Sequence, residues 1–236
     1  MSSNLDLIDT REPYPAQPGS DPRLAPPKQT RRVYDIVAPV YSVSSLLFHS
    51  RAHKKALALS ELQDGSRVLE LAMGSGEMFH RLVQANPNGQ TIGFDFSVNM
   101  AARSQVAATN TFPGAFARCI CADARRLPFP DGYFDTLVCC YLFELLTPAE
   151  GLETIREIVR VLKPGGALTL TLVGQHVAFF NLLYKVCTKV APAFWGRQVT
   201  SAIPEKLTAH GFVIESTSTL RQGFYPTRLL RARKPA

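Results

Sequence analysis

The sequence lacks any run of about eighteen consecutive apolar residues, which a membrane-crossing helix would need. It also lacks the apolar N-terminal segment of a signal peptide, so we expect a cytoplasmic protein. Charged residues make up only 19% of its 236 residues and hydrophobic residues 46%. This balance is ordinary for a soluble globular domain with a sizeable core.

The five cysteines show no zinc-ligand spacing, and no metal site is predicted. Cys119 and Cys121 alternate on a probable strand, and Cys139 and Cys140 end another. Buried, reduced thiols are the expected arrangement. The alternative is a thiol site, which would require the two pairs to meet.

A short apolar run ends in two glycines at 68–76, and the following residues 77–83 have helical spacing. Strand, glycine turn and helix together let a ligand approach bare backbone. Asp95 ends a second apolar run and suits the hydroxyls of a ribose. Asp123 follows a third run. The pattern therefore predicts a nucleoside-containing cofactor on a Rossmann-like sheet.

The third glycine of a dinucleotide-binding turn is missing, because position 79 holds Phe79. That glycine normally allows close helix–strand packing around a pyrophosphate, so its absence disfavours an NAD-dependent oxidoreductase. Acids after successive strands instead suit a cofactor without phosphate and with net positive character.

The remaining spacing predicts the order of elements. Helices are expected over 44–62, 77–84, 98–108 and 148–162, with a short one opening at Pro204. Strands are expected over 67–71, 90–95, 115–121, 133–141 and 167–173, followed by a pair at 212–220 and 223–232.

These motifs, with the turn at 162–166, resemble those of the class I S-adenosylmethionine-dependent methyltransferases over roughly residues 65–175. The resemblance implies S-adenosyl-L-methionine as cofactor and a Rossmann-like, three-layer α/β/α sandwich. Its mostly parallel seven-stranded sheet would have the order 3-2-1-4-5-7-6, with strand 7 antiparallel.

The same resemblance implies which residues hold the cofactor. Asp95 would bind the ribose, Asp123 the adenine amine, Phe96 the adenine face, and Glu70 the glycine turn or the cofactor's amine. The full expected set is Glu70, Ala72, Met73, Gly74, Gly76, Asp95, Phe96, Asp123, Ala124 and Cys140. Ala72 stands where glycine is usual, and alanine tolerates most of that backbone geometry.

Residues 1–30 are rich in proline and are expected to form a disordered leader before a single domain at 31–236. Within that domain, 31–62 is expected to form a helical lid. The apolar, aromatic insert at 174–200 is expected to cover the acceptor side.

Candidate acceptor contacts are Tyr34 and Tyr41 in the lid and Tyr141 at the end of strand four. Methyl transfer needs little acid–base help unless the acceptor is an enol, a phenol or an amine. His176, just after strand five, is then the best-placed general base.

Within the superfamily, residues 34–41 and the segments 123–124 and 127–129 resemble the ubiquinone/menaquinone-biosynthesis methyltransferases. This implies a lipophilic small-molecule acceptor, quinol-like or lipid. A phospholipid amine acceptor and a non-catalytic S-adenosylmethionine-binding partner subunit stay open. The net charge of +7 is concentrated in the C-terminal strands and suits peripheral contact with a membrane. No nucleic-acid partner is expected, and the oligomeric state is open.

Overall fold

A computed structural model describes residues 49–174, 202–222 and 225–236. Its helices are α1 (Ser50–Ser60), α2 (Glu77–Ala85), α3 (Val98–Thr111), α4 (Pro148–Val161) and α5 (Ala202–Ala209). Its strands are β1 (Arg67–Leu71), β2 (Gln90–Asp95), β3 (Phe116–Cys121), β4 (Phe134–Cys140), β5 (Leu162–Val173), β6 (Val213–Gln222) and β7 (Tyr225–Arg233).

The strands form one seven-stranded sheet in the order β3-β2-β1-β4-β5-β7-β6. Strands β1 to β5 run parallel, and β7 is antiparallel to both of its neighbours. Helices α1, α2 and α3 pack on one face, while α4 and α5 cover the other. This confirms the predicted three-layer sandwich and its strand order.

The central strands are buried along nearly their whole length, because helices cover both faces of the sheet. Side chains cap two of the helices at their N-termini. Thr147 Oγ1 accepts a hydrogen bond from Glu150 N (3.3 Å), and Glu150 Oε2 accepts one from Thr147 N (2.8 Å) at the start of α4. Ser97 accepts from Met100 N at the start of α3.

Three predicted boundaries were wrong. Helix α1 begins at Ser50 with His49 as its N-cap, later than the predicted start at 44 or 45. Helix α3 continues to Thr111. Strand β5 begins at Leu162, which pairs with Phe134 across an irregularity in the ladder, so the predicted turn at 162–166 lies inside the strand. After Leu162 the ladder with β4 resumes only at Ala167, and Gly165 has a φ of +74°, so the turn residues form a break within the strand.

The predicted leader lies outside the described residues, as do most of the predicted lid and the insert beyond Gly174. Three predicted site residues fall in those ranges: Tyr34, Tyr41 and His176.

The two cysteine pairs do not meet, as expected. Strands β2 and β1 lie between β3 and β4, which separates Cys119 and Cys121 from Cys139 and Cys140. Both thiols of β4 are buried, but Cys121 is exposed, so the expectation of burial was wrong at that position.

Phe79 occupies the position of the missing third glycine, and its side chain is fully buried. The room for it comes from Gly93 in β2. A Cβ on Gly93 would lie 2.8 Å from both Met73 Sδ and Phe79 Cδ2. Close packing between helix and strand is therefore achieved with the glycine in the strand and the bulky residue in the helix.

Gly93→Ala should destabilise the protein by about 1–3 kcal/mol, because the added methyl group overpacks the α2–β2 contact. Urea unfolding of the variant and the wild type would measure this difference.

Gly114→Ala is the matched control. Nothing lies within 4 Å of a Cβ at Gly114, so this change should cost far less. Equal stability of the two variants would show that the contact at Gly93 relaxes freely.

Candidate cofactor site

The carboxyl ends of β3, β2, β1 and β4 lie side by side and bring the predicted site residues together. Leu71 pairs with Phe94 and with Cys139, and Asp95 pairs with Cys121. In open α/β sheets, ligands bind outside this edge.

The turn after β1 is built from left-handed residues: φ is +58° at Ala72, +52° at Gly74 and +79° at Gly76. Met73 N donates to Phe94 O (3.0 Å), and Gly76 N donates to Met73 O (2.9 Å). A left-handed residue with a Cβ costs about 1–2 kcal/mol, so Ala72 carries a backbone cost that glycine would avoid.

Two members of the predicted set shape the turn. The Met73 side chain is buried with Phe79 in the core between α2 and α3, and its N–H and carbonyl are hydrogen-bonded to Phe94 and Gly76. A Cβ on Gly76 would lie 2.7 Å from Ser104 Oγ, so no side chain fits between the turn and α3.

Asp95 joins the turn to β2. Its Oδ2 accepts a hydrogen bond from Gly74 N (2.9 Å), and its Oδ1 accepts one from Ser97 N (2.8 Å). Burial raises the pKa of Asp95 above its usual value, against the opposing effect of these backbone donors. The Phe96 N–H is a third backbone donor to this carboxylate, so a pair of ribose hydroxyls would use its remaining acceptor capacity.

Glu70 lies one residue before the end of β1, with its side chain buried. Its Oε2 has no hydrogen-bond partner among the residues that the structure describes. Burial and the nearby carboxyls of Asp95 and Glu77 raise its pKa well above the usual value. A buried carboxyl oxygen with no donor fits the ammonium group of a cationic cofactor.

Asp123 is engaged within the protein. Arg125 Nη2 donates to its Oδ2 (2.6 Å), while Arg125 Nη1 donates to Glu150 Oε1 (3.0 Å). An adenine amine would have to share the Asp123 carboxylate with Arg125. Phe96 remains 38% exposed beside Asp95, where its ring could stack on a base.

The predicted site residues Ala124 and Cys140 are both buried. Ala124 is buried in the main core next to Leu127. The Cys140 thiol is buried, 3.5 Å from Thr171 Oγ1, and burial is the main cause that raises its pKa. Any contact of Cys140 with a cofactor would be made by a neutral thiol.

Tyr141 follows β4 with φ of +57°, a strained backbone for an aromatic residue. Its hydroxyl lies 2.8 Å from Thr227 Oγ1, and its N–H donates to Thr171 O (2.8 Å). Its ring centroid lies 4.4 Å from that of His49. The hydroxyl is thus tied to β7, so a predicted acceptor contact would use the ring.

Sequence reasoning missed a charged cluster beside the turn. His53 Nδ1 lies 3.2 Å from Glu77 Oε2, and Arg81 pairs with Glu77 Oε1 at 2.9 Å. Burial opposes ionisation of Glu77, but His53 and Arg81 overcome it and lower its pKa to about 2. Burial, followed by the charge of His53, lowers the pKa of His49 to about 3. The signal was the i, i+4 spacing in α1 and α2.

A second missed residue is Glu144, a buried acid just after β4. Its Oε1 accepts a hydrogen bond from Val173 N at 2.6 Å. The signal was an acid inside the apolar run 141–146.

Glu70→Gln tests the electrostatics of the site without any ligand. Because the native pKa of Glu70 is raised, the folded state keeps a proton that the unfolded chain releases above about pH 4.3. The free energy of unfolding of the wild type should therefore fall as the pH rises above about 4.3. The variant lacks this loss, so it should gain stability relative to wild type from pH 4 to 8 in urea unfolding.

The control is Glu153→Gln on an exposed position of α4. An equal pH dependence in wild type and Glu70→Gln would contradict the raised pKa.

Comparison with known proteins agrees with this geometry. Residues 68–166 match a family model described as a methyltransferase domain. The ubiquinone/menaquinone biosynthesis C-methyltransferase of Stutzerimonas stutzeri is 28% identical over 69% of this chain and 67% of its own length. The enzyme of that name from Pseudomonas paraeruginosa is 31% identical over 60% of this chain, but the match spans only 56% of its length.

A solved structure shares the fold. The N-methyltransferase NodS from Bradyrhizobium japonicum, in complex with S-adenosyl-L-homocysteine, has a TM-score of 0.62 and 16% identity over 79% of this chain and 87% of its own. The family match begins in β1 and ends in β5, so it spans the strands and the turn that build the site. Residues 68–166 thus carry a methyltransferase domain, and the chain resembles the ubiquinone/menaquinone-biosynthesis C-methyltransferases among the class I S-adenosylmethionine-dependent enzymes.

Proposed function

We propose that the protein transfers the methyl group of S-adenosylmethionine to a lipophilic acceptor of the quinol class. The cofactor assignment is supported by Glu70 Oε2, which is buried near Asp95 and the glycine turn and has no partner in the described ranges. The acceptor side is supported by the curated relatives, whose names place them in ubiquinone and menaquinone biosynthesis.

Each polar group of the site has a role in this proposal. Asp95 accepts hydrogen bonds from the ribose hydroxyls, Glu70 pairs with the ammonium group, and Asp123 accepts from the adenine amine while it keeps Arg125. The bound cofactor supplies a methyl group that is already electrophilic. The protein then has to hold the acceptor in line with that methyl group and exclude water, so that orientation provides much of the rate.

The ring pair of His49 and Tyr141 is the proposed wall for a planar acceptor. The two rings lie 4.4 Å apart between centroids, next to the end of β4. Burial keeps His49 neutral at physiological pH, so the wall carries no charge that would repel an oily ring.

The C-terminal strand gives less support to a phospholipid amine acceptor than its charge suggests. Arg231 pairs with Glu61 and Glu215, Arg233 pairs with Glu215, and Lys234 Nζ donates to the carbonyls of Val159 and Leu162. Much of this positive charge is therefore paired with acids or carbonyl groups of the same domain.

Neither location nor membrane contact follows from the helices. Within the described ranges, none is long and apolar enough to cross a membrane. Cytoplasmic location and peripheral contact with lipid stay predictions.

Asp95→Ala should weaken binding of S-adenosyl-L-homocysteine by about 1.5–3 kcal/mol, since it removes hydrogen bonds to a charged group. This corresponds to roughly a 10- to 150-fold rise in Kd. Calorimetric titration would measure it, with NAD as a second ligand and Glu153→Ala as the surface control. Unchanged affinity in Asp95→Ala would remove the assigned cofactor site.

The acceptor class is tested with radiolabelled S-adenosylmethionine and a panel of prenylated quinols and phospholipid amines. We expect label on a quinol. Label on a lipid amine would replace the quinol proposal with the phospholipid alternative. Cofactor binding without transfer to any acceptor would favour a non-catalytic partner subunit.

A further inference from the structure

Glu144 is a buried carboxyl group at the edge of the sheet where the parallel strands end. It follows β4 by four residues, and only 2% of it is exposed. Its Oε1 accepts a hydrogen bond from Val173 N, the last residue of β5. The side chain is therefore fixed between the carboxyl ends of two adjacent parallel strands, the edge at which this fold binds ligands.

The second oxygen of this carboxyl group, Oε2, is buried without a donor in the part of the chain that the structure describes. A buried polar atom left unpaired costs free energy, so its retention calls for an explanation. With Oε1 held by Val173, Oε2 is the oxygen that can receive a proton.

The surroundings of Glu144 allow its carboxyl group both to take up and to release a proton near neutral pH. Among the described residues, the titratable groups that interact with it are the thiols of Cys139 and Cys140, and burial raises the pKa of both so that they stay neutral. In the described part of the chain, no lysine, arginine or histidine forms an ion pair with it. Burial, partly opposed by the Val173 N–H, raises the pKa of Glu144 to about 7.

We propose that Glu144 is the general base of the reaction, with Oε2 taking the proton that the acceptor loses. This rests on the proposed methyl transfer. A bond forms between the acceptor atom and the methyl carbon, and the carbon–sulfur bond breaks with its electron pair staying on sulfur. The proton moves to Glu144, so the sulfonium and carboxylate charges cancel.

The other acids and histidines of the site suit this role less well. Glu70 and Asp95 lie near the ends of β1 and β2, and the proposed function already assigns both to the cofactor. Glu77 and His49 have pKa values of about 2 and 3, which makes them weak bases at neutral pH. A base at Glu144 also restricts the acceptor class. The acceptor must carry a removable proton, as a quinol does and a tertiary amine does not.

Glu144→Gln tests the proposal, because the amide oxygen can still accept the hydrogen bond from Val173 while the base is lost. The first readout needs no acceptor. Infrared difference spectra of the wild type should show a carboxyl group that titrates near pH 7 and is missing in the variant. Titration at the ordinary value near 4.3 would overturn the proposal.

The second readout is the pH profile of kcat on the quinol that accepts the label. The wild-type rate should rise with pH to a plateau above about 7. In Glu144→Gln, kcat should fall at least about 100-fold, and the rise of the rate with pH (the acid limb of the profile) should be lost. Its Kd for S-adenosyl-L-homocysteine should stay within about twofold, as in the control Glu153→Gln. A purely structural role would lower stability without removing the limb.

The outcomes separate the two proposals. If the wild type binds no S-adenosyl-L-homocysteine, the proposed function fails. If it binds and turns over, and Glu144→Gln keeps the rate and the limb, only the role of Glu144 fails. Should the variant not fold, a wild-type profile with no limb near pH 7 would still overturn it.

Discussion

The hydrogen bond from Gly74 N to the Asp95 carboxylate ties the cofactor turn to the sheet. It joins the end of β1 to the end of β2, and the Met73 N–H to Phe94 carbonyl bond reinforces it. The turn needs left-handed backbone, which is inherently costly, so neighbouring elements must hold it in place. Asp95 thus both shapes the turn and forms part of the proposed ribose site.

Buried carboxyl groups along the same edge give the site its electrostatic character. Glu70 and Asp95 surround the turn, and Glu144 lies at the far end beside β5. Without a cation, burial favours the protonated form of each group and raises its pKa. A cofactor with an ammonium group and a sulfonium supplies the missing charge. The geometry therefore disfavours a pyrophosphate, whose negative charge these acids would repel.

The departure at Phe79 shows how the fold tolerates a changed motif. Close packing of α2 on β2 needs one small residue at the contact, and either element can supply it. Here Gly93 supplies it, and Phe79 fills the space. The sequence motif considers only the residue in the helix, so Phe79 counts there as a missing glycine. The close contact between helix and strand is still made.

Much of the fold could be predicted from local pattern. Apolar runs and the glycine turn predicted the strands and helices of 67–161 to within a few residues, because each depends on neighbours in sequence. The strand order followed from the family resemblance. The start of α1 and the extent of β5 were missed, since both depend on contacts with distant segments. The acids at the strand ends were found because parallel strands place their carboxyl ends at one edge.

The sequence by itself therefore determined the fold class, the cofactor class and the residues along the turn. Only the tertiary structure showed that Asp123 bonds to Arg125, that the Tyr141 hydroxyl bonds to Thr227, and that an oxygen of Glu144 is buried with no partner among the described residues. Burial and pairing arise between segments far apart in the chain, so they cannot be predicted from a local sequence pattern.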